Sequence, residues 1–469
     1  RQFDEALQSA QREAQAAFGD DTVLLERYLQ NPRHIEFQIL ADAHGNVIHL
    51  GERECSIQRR HQKIIEEAPS PALTTELRAK MGDAAVRIAR AVGYVNAGTL
   101  EFMLDQDGNF YFLEMNTRLQ VEHPVTEGVY DLDLVHWQLR IANGERLTFE
   151  QANVAPRGSA IEARIYAEDP YNRMLPSTGT ISVWQPPEGP GIRVDSGVRT
   201  GSGVSMYYDP MLAKLIVWGE DRPTAIKRLQ YALNAFTVAG VQTNIPLLSW
   251  IASNDAFVKG NTTTSFLDDE LSDDLFSRVQ TSPEAIALAS AAALQNGVAG
   301  WRLGAIGIPL RFATGEKTYA IEASRGDHAT WTLSGDLNGT LTIGSVAPKS
   351  DVQLNKKPIS GIAVADAAGV EIVRNGVRSR LEFASPPSLE LRAHAAGAST
   401  GAIVAPMPGR IINVAAKAGD DVGEHALLMV LEAMKMEHRI EAPSAGTVKR
   451  VLVNEGELVR ASAPLVEIE

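Results

Sequence analysis

Glu432-Ala433-Met434-Lys435-Met436-Glu437-His438, close to the C-terminus, is the stretch on which the reading of this chain turns. Its setting says more than its letters. The segment from Ala405 to Leu431 recurs as Ala442 to Ile468 at a constant offset of 37 residues, with Ala405/Ala442, Pro406/Pro443, Gly409/Gly446, Val414/Val451, Gly419/Gly456, Val422/Val459 and Leu428/Leu465 coinciding. Two copies of one β-rich half-unit therefore face each other, joined by a hairpin. Lys435 falls at the junction, so its amine is expected at the tip of a quasi-symmetric β module. An exposed amine between methionines on a rigid turn suits post-translational acylation, whereas an ordinary solvated turn lysine explains neither the Ala-Met-Lys-Met core nor the flanking repeat.

With 469 residues the chain is long for one core, so about two to four domains are expected. A net charge of −14 argues against nonspecific binding of nucleic acid or an anionic membrane, either of which needs a basic surface. The lone cysteine, Cys55, excludes an intrachain disulfide and fits a reducing compartment. No apolar run is long enough to span a bilayer, and no signal peptide is expected.

Residues 4–17 read as a helix ending near Gly19, and Thr22-Val23-Leu24-Leu25-Glu26 as a strand. Strands at 35–40 and 47–50 form a hairpin through His44-Gly45-Asn46. The cluster Gln58-Arg59-Arg60-His61-Gln62-Lys63 reads by itself as a solvated face. A helix over 75–91 leads to two strands, 98–104 and 110–115, joined by Asp107-Gly108 as a type I′ turn. Counting outward from that turn sets Glu101 opposite Glu114. Like charges so placed destabilise the pair unless a cation lies between them, and oxygen-only ligands suit Mg²⁺ or Mn²⁺ on nucleotide phosphates. If the second strand stays extended, Glu114, Asn116, Arg118, Gln120 and Glu122 share one face. A solvated edge strand alternates too, but this face mixes metal ligands, a guanidinium and an amide.

Downstream, 161–267 reads as strands with one helix, and the acidic run from Asp268 to Ser277 as a boundary. A helix over 283–294 precedes about eight short β segments between Leu310 and Phe383, the spacing of an antiparallel barrel. No catalytic constellation is visible there, so packing or subunit docking is expected. His394 to Gly401 is an Ala/Gly/Ser linker; ten such residues span roughly 17 Å root-mean-square.

Glu101, the run from Glu114 to Pro124, Gln58 to Lys63, and Ala163-Arg164-Ile165-Tyr166-Ala167-Glu168-Asp169 together resemble the ATP-grasp core of biotin carboxylase. The C-terminal module resembles the biotinyl domain of biotin-dependent carboxylases. A lipoyl domain shares its architecture but carries Asp where this chain has Met434. The whole resembles the α subunit of a biotin-dependent acyl-CoA carboxylase, with Gly300-Trp301-Arg302 pointing to the 3-methylcrotonyl type.

The resemblance implies an α+β multidomain chain. Residues 1–29 would be a remnant of the ATP-grasp lid, 30–270 the carboxylase core and its C-terminal part, and 271–392 a subunit-docking helix plus antiparallel β-barrel. A flexible linker, 393–401, would lead to a flattened β-barrel biotinyl carrier, 402–469. Lys435 would carry biotin; Glu26, Arg27, Tyr28 and Leu29 would form the adenine hinge, with His34, Gln58 and His61 lining the ATP site. Glu101, Glu114 and Asn116 would hold Mg²⁺ or Mn²⁺. Lys63, Arg118, Gln120 and Val121 would bind bicarbonate, Glu122 would be the general base, and Arg164 would stabilise the biotin enolate. Bicarbonate is a poor nucleophile, so a carboxylate beside a guanidinium would take its proton before attack on the γ-phosphate gives carboxyphosphate. The glycine-rich phosphate loop is expected before Arg1, so the chain is expected to begin inside a domain and to bind ATP poorly alone. Implied partners are a carboxyltransferase β subunit, in a hetero-oligomer, and biotin protein ligase. The expected compartment is the bacterial cytoplasm or a mitochondrial matrix. 3-Methylcrotonyl-CoA is the favoured acyl group, ahead of geranyl-CoA and propionyl-CoA; a noncatalytic biotin or lipoyl carrier scaffold is the alternative.

Overall fold

The structure, a computed structural model, describes residues 2–272, 281–295, 307–315, 317–327, 329–346, 351–384, 402–434 and 436–469. After helix α1 (Gln2–Phe18), a run of strands and helices builds one antiparallel sheet: β1 (Arg33–Ala41), β2 (Val47–Arg59), β3 (Gln62–Ala68), α2 (Thr75–Ala91), β4 (Asn96–Leu104), β5 (Phe110–Asn116), α3 (His123–Tyr130), α4 (Leu134–Ala142) and β6 (Ser159–Tyr166). Strands Ile192–Ser196 and Met211–Gly219 complete it, and the eight strands run in the order Ile192–Ser196, Met211–Gly219, β6, β3, β2, β1, β4, β5.

Period-two alternation explains how this sheet can be buried on both sides. Along β1, Ile35, Phe37 and Ile39 pack against Met81, Ala85 and Ala89 of α2, a helix whose N-cap Thr74 accepts from the Leu77 amide. His34, Glu36 and Gln38 occupy the other face, and they too are buried. Farther along, Ile161, Ala163 and Ile165 of β6 pack against Leu229 and Leu233 of α5 (Arg222–Ala235). β3 and β4 lie three strand steps apart, roughly 14 Å if the sheet were flat. Yet Lys63 of β3 reaches Glu101 of β4 at 3.2 Å, so the sheet is strongly curled and its polar face is concave.

A second unit wraps nine antiparallel strands, from Ile308–Thr314 to Val377–Phe383, around the helix Pro283–Gln295. Ala287, Ala289, Ala291, Ala292 and Ala293 of that helix are fully buried, together with the larger Ile286 and Leu288, so that most of its surface lets the strands approach closely. The C-terminal module has two four-stranded sheets, and the internal repeat is visible in its strands: Gly409–Val414 corresponds to Gly446–Val451, and Asp421–Val422 to Leu458–Val459.

Four sequence expectations need correction. Residues 22–26 form no strand; Leu24 and Leu25 stay 87% and 78% exposed, since no strand among the described residues pairs with them. Residues 161–267 contain three helices, α5, α6 (Ile245–Ser253) and α7 (Asp255–Lys259), and the start of a fourth, α8 (Phe266–Glu270), where one was expected. The Asp107-Gly108 turn is not type I′, because of the two only Gly108 has positive φ; instead Asp105 Oδ1 accepts from the amides of Asp107 and Asn109. Finally, β5 ends at Asn116, so the extended face does not continue to Glu122. The linker 393–401 and Gly300-Trp301-Arg302 lie outside the described residues.

Candidate active site

The concave face is organised around a fully buried guanidinium. Arg53 donates to Glu36 Oε1 at 2.5 Å, Gln38 at 2.8 Å, Gln120 at 2.8 Å, Thr126 at 3.0 Å and Thr99 at 3.1 Å. All five donors of the fork are thus matched, which is what an always-charged group requires in a dry interior. One layer outward, the Lys63 ammonium donates to Glu36 at 2.6 Å, Glu101 at 3.2 Å and Glu122 at 2.6 Å. Burial alone would raise the Glu36 carboxyl, but Arg53 and then Lys63 more than offset it and hold the group at about 2. Glu101 behaves alike: burial pushes it up, while contact with His34 and the charge of Lys63 bring it to about 2.

Glu101 and Glu114 do stand opposite each other across β4 and β5, as the sequence suggests, though by another route. The longer turn shifts the pairing by one residue, and a bulge between Glu101 and Phe102 shifts it back. Asn116 Nδ2 lies 3.0 Å from both carboxylates, so three side chains converge on one point. A divalent cation fits this donor set: two carboxylates face each other at the rim of the cleft, and turning the Asn116 amide over would add its oxygen as a third hard ligand.

On the other side of Lys63, Arg164 of β6 donates through Nε to Glu66 at 2.6 Å and through Nη2 to Glu122 at 3.0 Å. Glu122, at the N-cap of α3, is therefore clamped between two cations and is only 2% exposed. Gln120 Nε2 donates to Glu101 at 2.7 Å, and the Val121 carbonyl accepts from Lys214 Nζ at 2.7 Å. Arg118 departs from expectation: it is exposed and donates only to the Leu119 carbonyl, at 3.3 Å, because the chain leaves the sheet after Asn116 and turns into α3 at Pro124.

A single cleft of about 2000 Å³ gathers these groups. Glu26, Arg27, Tyr28, Leu29, His34, Gln58, His61, Lys63, Glu101, Glu114, Asn116, Arg118, Gln120, Val121, Glu122 and Arg164 all line it. The 26–29 segment is tied to β5 by Arg27, which donates to Tyr111 Oη at 2.9 Å. Lys435 lies outside the described residues, but its hairpin is placed: Met434, with φ of 50°, donates its amide to the Met206 carbonyl at 2.9 Å. The carrier module also packs on Leu175, so its tip sits on the carboxylase part, beside the loop that precedes Met211–Gly219. No described helix is long and apolar enough to cross a membrane.

Sequence reasoning missed Glu36, Arg53, Glu66, Glu162 and Lys214. The available signal was the alternation His34-Ile35-Glu36-Phe37-Gln38-Ile39, but an alternating strand ordinarily turns its polar side to water.

Comparison with known proteins accords with this geometry. Residues 1–150 match the carbamoyl-phosphate synthase L chain ATP-binding domain, 162–269 the biotin carboxylase C-terminal domain, and 401–468 the biotin-requiring enzyme family. The methylcrotonoyl-CoA carboxylase subunit alpha of Rattus norvegicus is 38% identical over 494 residues, covering 100% of this chain and 69% of that protein. The propionyl-CoA carboxylase alpha chain of Homo sapiens is 39% identical over 495 residues, covering 98% and 66%. Among solved structures, the biotin carboxylase domain of Hydrogenobacter thermophilus 2-oxoglutarate carboxylase, in complex with MgADP, ADP and bicarbonate, aligns at TM-score 0.56 and 48% identity over 59% of this chain and 60% of that one. The Campylobacter jejuni biotin carboxylase aligns at TM-score 0.55 and 44% identity over 57% and 59%. The chain thus belongs to the α subunits of the biotin-dependent acyl-CoA carboxylases, ligases that carboxylate biotin with ATP and carry a biotin carboxylase and a biotin carrier domain on one polypeptide.

Proposed function

We propose that this cleft carboxylates a biotin borne on Lys435 and that the loaded carrier then serves a separate carboxyltransferase β subunit acting on 3-methylcrotonyl-CoA. The observation that carries the reading is Glu122, held 2.6 Å from the Lys63 ammonium and 3.0 Å from the Arg164 guanidinium. A carboxylate there borders both the metal-binding hairpin and the cation reserved for biotin. Glu122 takes the proton of bicarbonate, Lys63 holds the resulting anion, and Gln120 fixes its orientation. Mg²⁺ on Glu101, Glu114 and Asn116 would neutralise the phosphates of ATP. Glu26 to Leu29, His34, Gln58 and His61 seat the nucleotide, and Arg164 offers its guanidinium to the ureido oxygen where negative charge develops. Arg118 reaches bicarbonate only by swinging inward from its exposed position.

The acyl group rests on kinship: several relatives are methylcrotonoyl-CoA carboxylase α subunits, with propionyl-CoA the second choice because its α chains match as well. The compartment follows the source, mitochondrial in a eukaryote as in the names of those relatives and cytoplasmic in a bacterium. Replacing Glu122→Gln in the holoenzyme is expected to cut bicarbonate-dependent ATP hydrolysis with free biotin by about 10²- to 10⁴-fold. Retained turnover would remove Glu122 from the role of base. A screen of CoA thioesters with the copurified partner decides the acyl group.

A further inference from the structure

Behind Arg164 lies a pair of glutamates that the scheme above leaves unused. Glu66 of β3 and Glu162 of β6 are direct cross-strand partners and both are fully buried. Facing residues of that kind hold their Cβ atoms about 5 Å apart on one face of the sheet. Three of the four oxygens, Glu66 Oε2 and both of Glu162, have no hydrogen-bond partner. Glu66 Oε1 is taken by Arg164. Among the described residues, the only cation facing Glu162 from a neighbouring strand is Lys214, whose Nζ is 3.8 Å from Oε2, donates to the Val121 carbonyl at 2.7 Å and also lies 3.6 Å from Asp195. Across the whole face, five buried carboxylates (Glu36, Glu66, Glu101, Glu122, Glu162) share four cations (Arg53, Lys63, Arg164, Lys214). Two anions side by side in such a place cannot both persist.

We infer that Glu66 and Glu162 hold one proton between them, and that this half-neutralised pair is a positioning device that keeps a single negative charge behind Arg164. Burial raises both groups, Glu66 to about 7 after partial relief by Arg164, and Glu162 well above the carboxylate range with Glu66 adding to the effect. The remaining charges that face the pair are Glu122 from α3 and Lys63 from β3. With one charge behind it, Arg164 keeps Nε on Glu66 and holds Nη2 between Glu66 and Glu122 at the wall of the cleft. Loss of the shared proton would place a second anion beside the guanidinium, drawing it back from the cleft and Lys214 away from the Val121 carbonyl.

The inference rests on the assignment of Arg164 to biotin, and two readouts separate the two ideas. In the holoenzyme, Glu162→Gln fixes a neutral group in place. It is expected to keep kcat near neutral pH within about threefold while moving the alkaline limb of kcat/KM for free biotin up by at least about one pH unit. An alkaline limb identical to that of the unsubstituted enzyme overturns the inference. Infrared difference spectra need no turnover: the carbonyl stretch of a buried protonated carboxylic acid is expected at pH 8 in the unsubstituted enzyme and lost in Glu162→Gln. If that variant does not fold, absence of the band from the unsubstituted enzyme overturns the inference alone. A band present with no effect of Arg164→Met on the KM for biotin removes the assignment of Arg164 instead.

Discussion

Arg53 shows what a single residue can decide. Its guanidinium satisfies Glu36 and four neutral partners in a region with no access to water. Arg53→Met, close in volume, leaves Glu36 with only the half-buried Lys63 and is expected to cost about 3–5 kcal/mol, read as a lower urea midpoint. The linkage has a definite sign. Glu36 and Glu101 sit at about 2, below the ordinary carboxylate value of 4.5. Their contribution is complete above about 4.5 and is lost as pH falls toward about 2. Denaturant midpoints that stay flat across that window would contradict it. None of this was legible in the sequence, because Glu52-Arg53-Glu54 looks like a solvated run until the curl of the sheet buries it. Glu101 and Glu114 were legible, since two carboxylates facing each other need an explanation wherever they lie.

At the scale of elements, the β4–β5 hairpin was read correctly for an incorrect reason. A turn one residue longer than assumed and a compensating bulge leave Glu101 opposite Glu114 after all. Arg118 was misplaced because alternation carries no mark where a strand stops; Pro124, at the start of α3, was the hint. The helix Pro283–Gln295 was well placed, yet its run of alanines acquires meaning only inside the nine-stranded wrap. Ala291→Phe there is expected to overpack the interior by about 1–3 kcal/mol and lower the melting temperature of that unit by a few degrees. An unchanged melting profile would mean the wrap has room to spare.

For the whole molecule, the 37-residue repeat made the carrier module readable, because two copies of one half-unit constrain each other. Where the module sits was not readable, since docking depends on surfaces far apart in the chain. His438, on the strand after the tip, is buried with Nε2 unpartnered. Burial first, then Arg60 and Arg59 of the β2–β3 hairpin, lower its pKa below the usual 6.5. Docking therefore favours neutral His438, and its stability falls as pH drops below about 6.5 and through the lowered value. Hydrogen-exchange protection over 427–441, measured relative to the intrinsic rate at each pH, is expected to be lower at pH 5.5 than at pH 7.5, and Arg60→Glu is expected to shrink that difference. Equal protection at both pH values would remove His438 from the contact.

The curl of the eight-stranded sheet has a kinetic meaning too. Under the proposed scheme it folds the phosphate end and the biotin end of the reaction into one trench, so a short-lived mixed anhydride formed beside Glu122 would meet walls sooner than bulk solvent. Wasted ATP should then track the dwell time of the biotin-bearing tip over the opening, and a tether stretched too far would show itself as leakage before it showed as slowness.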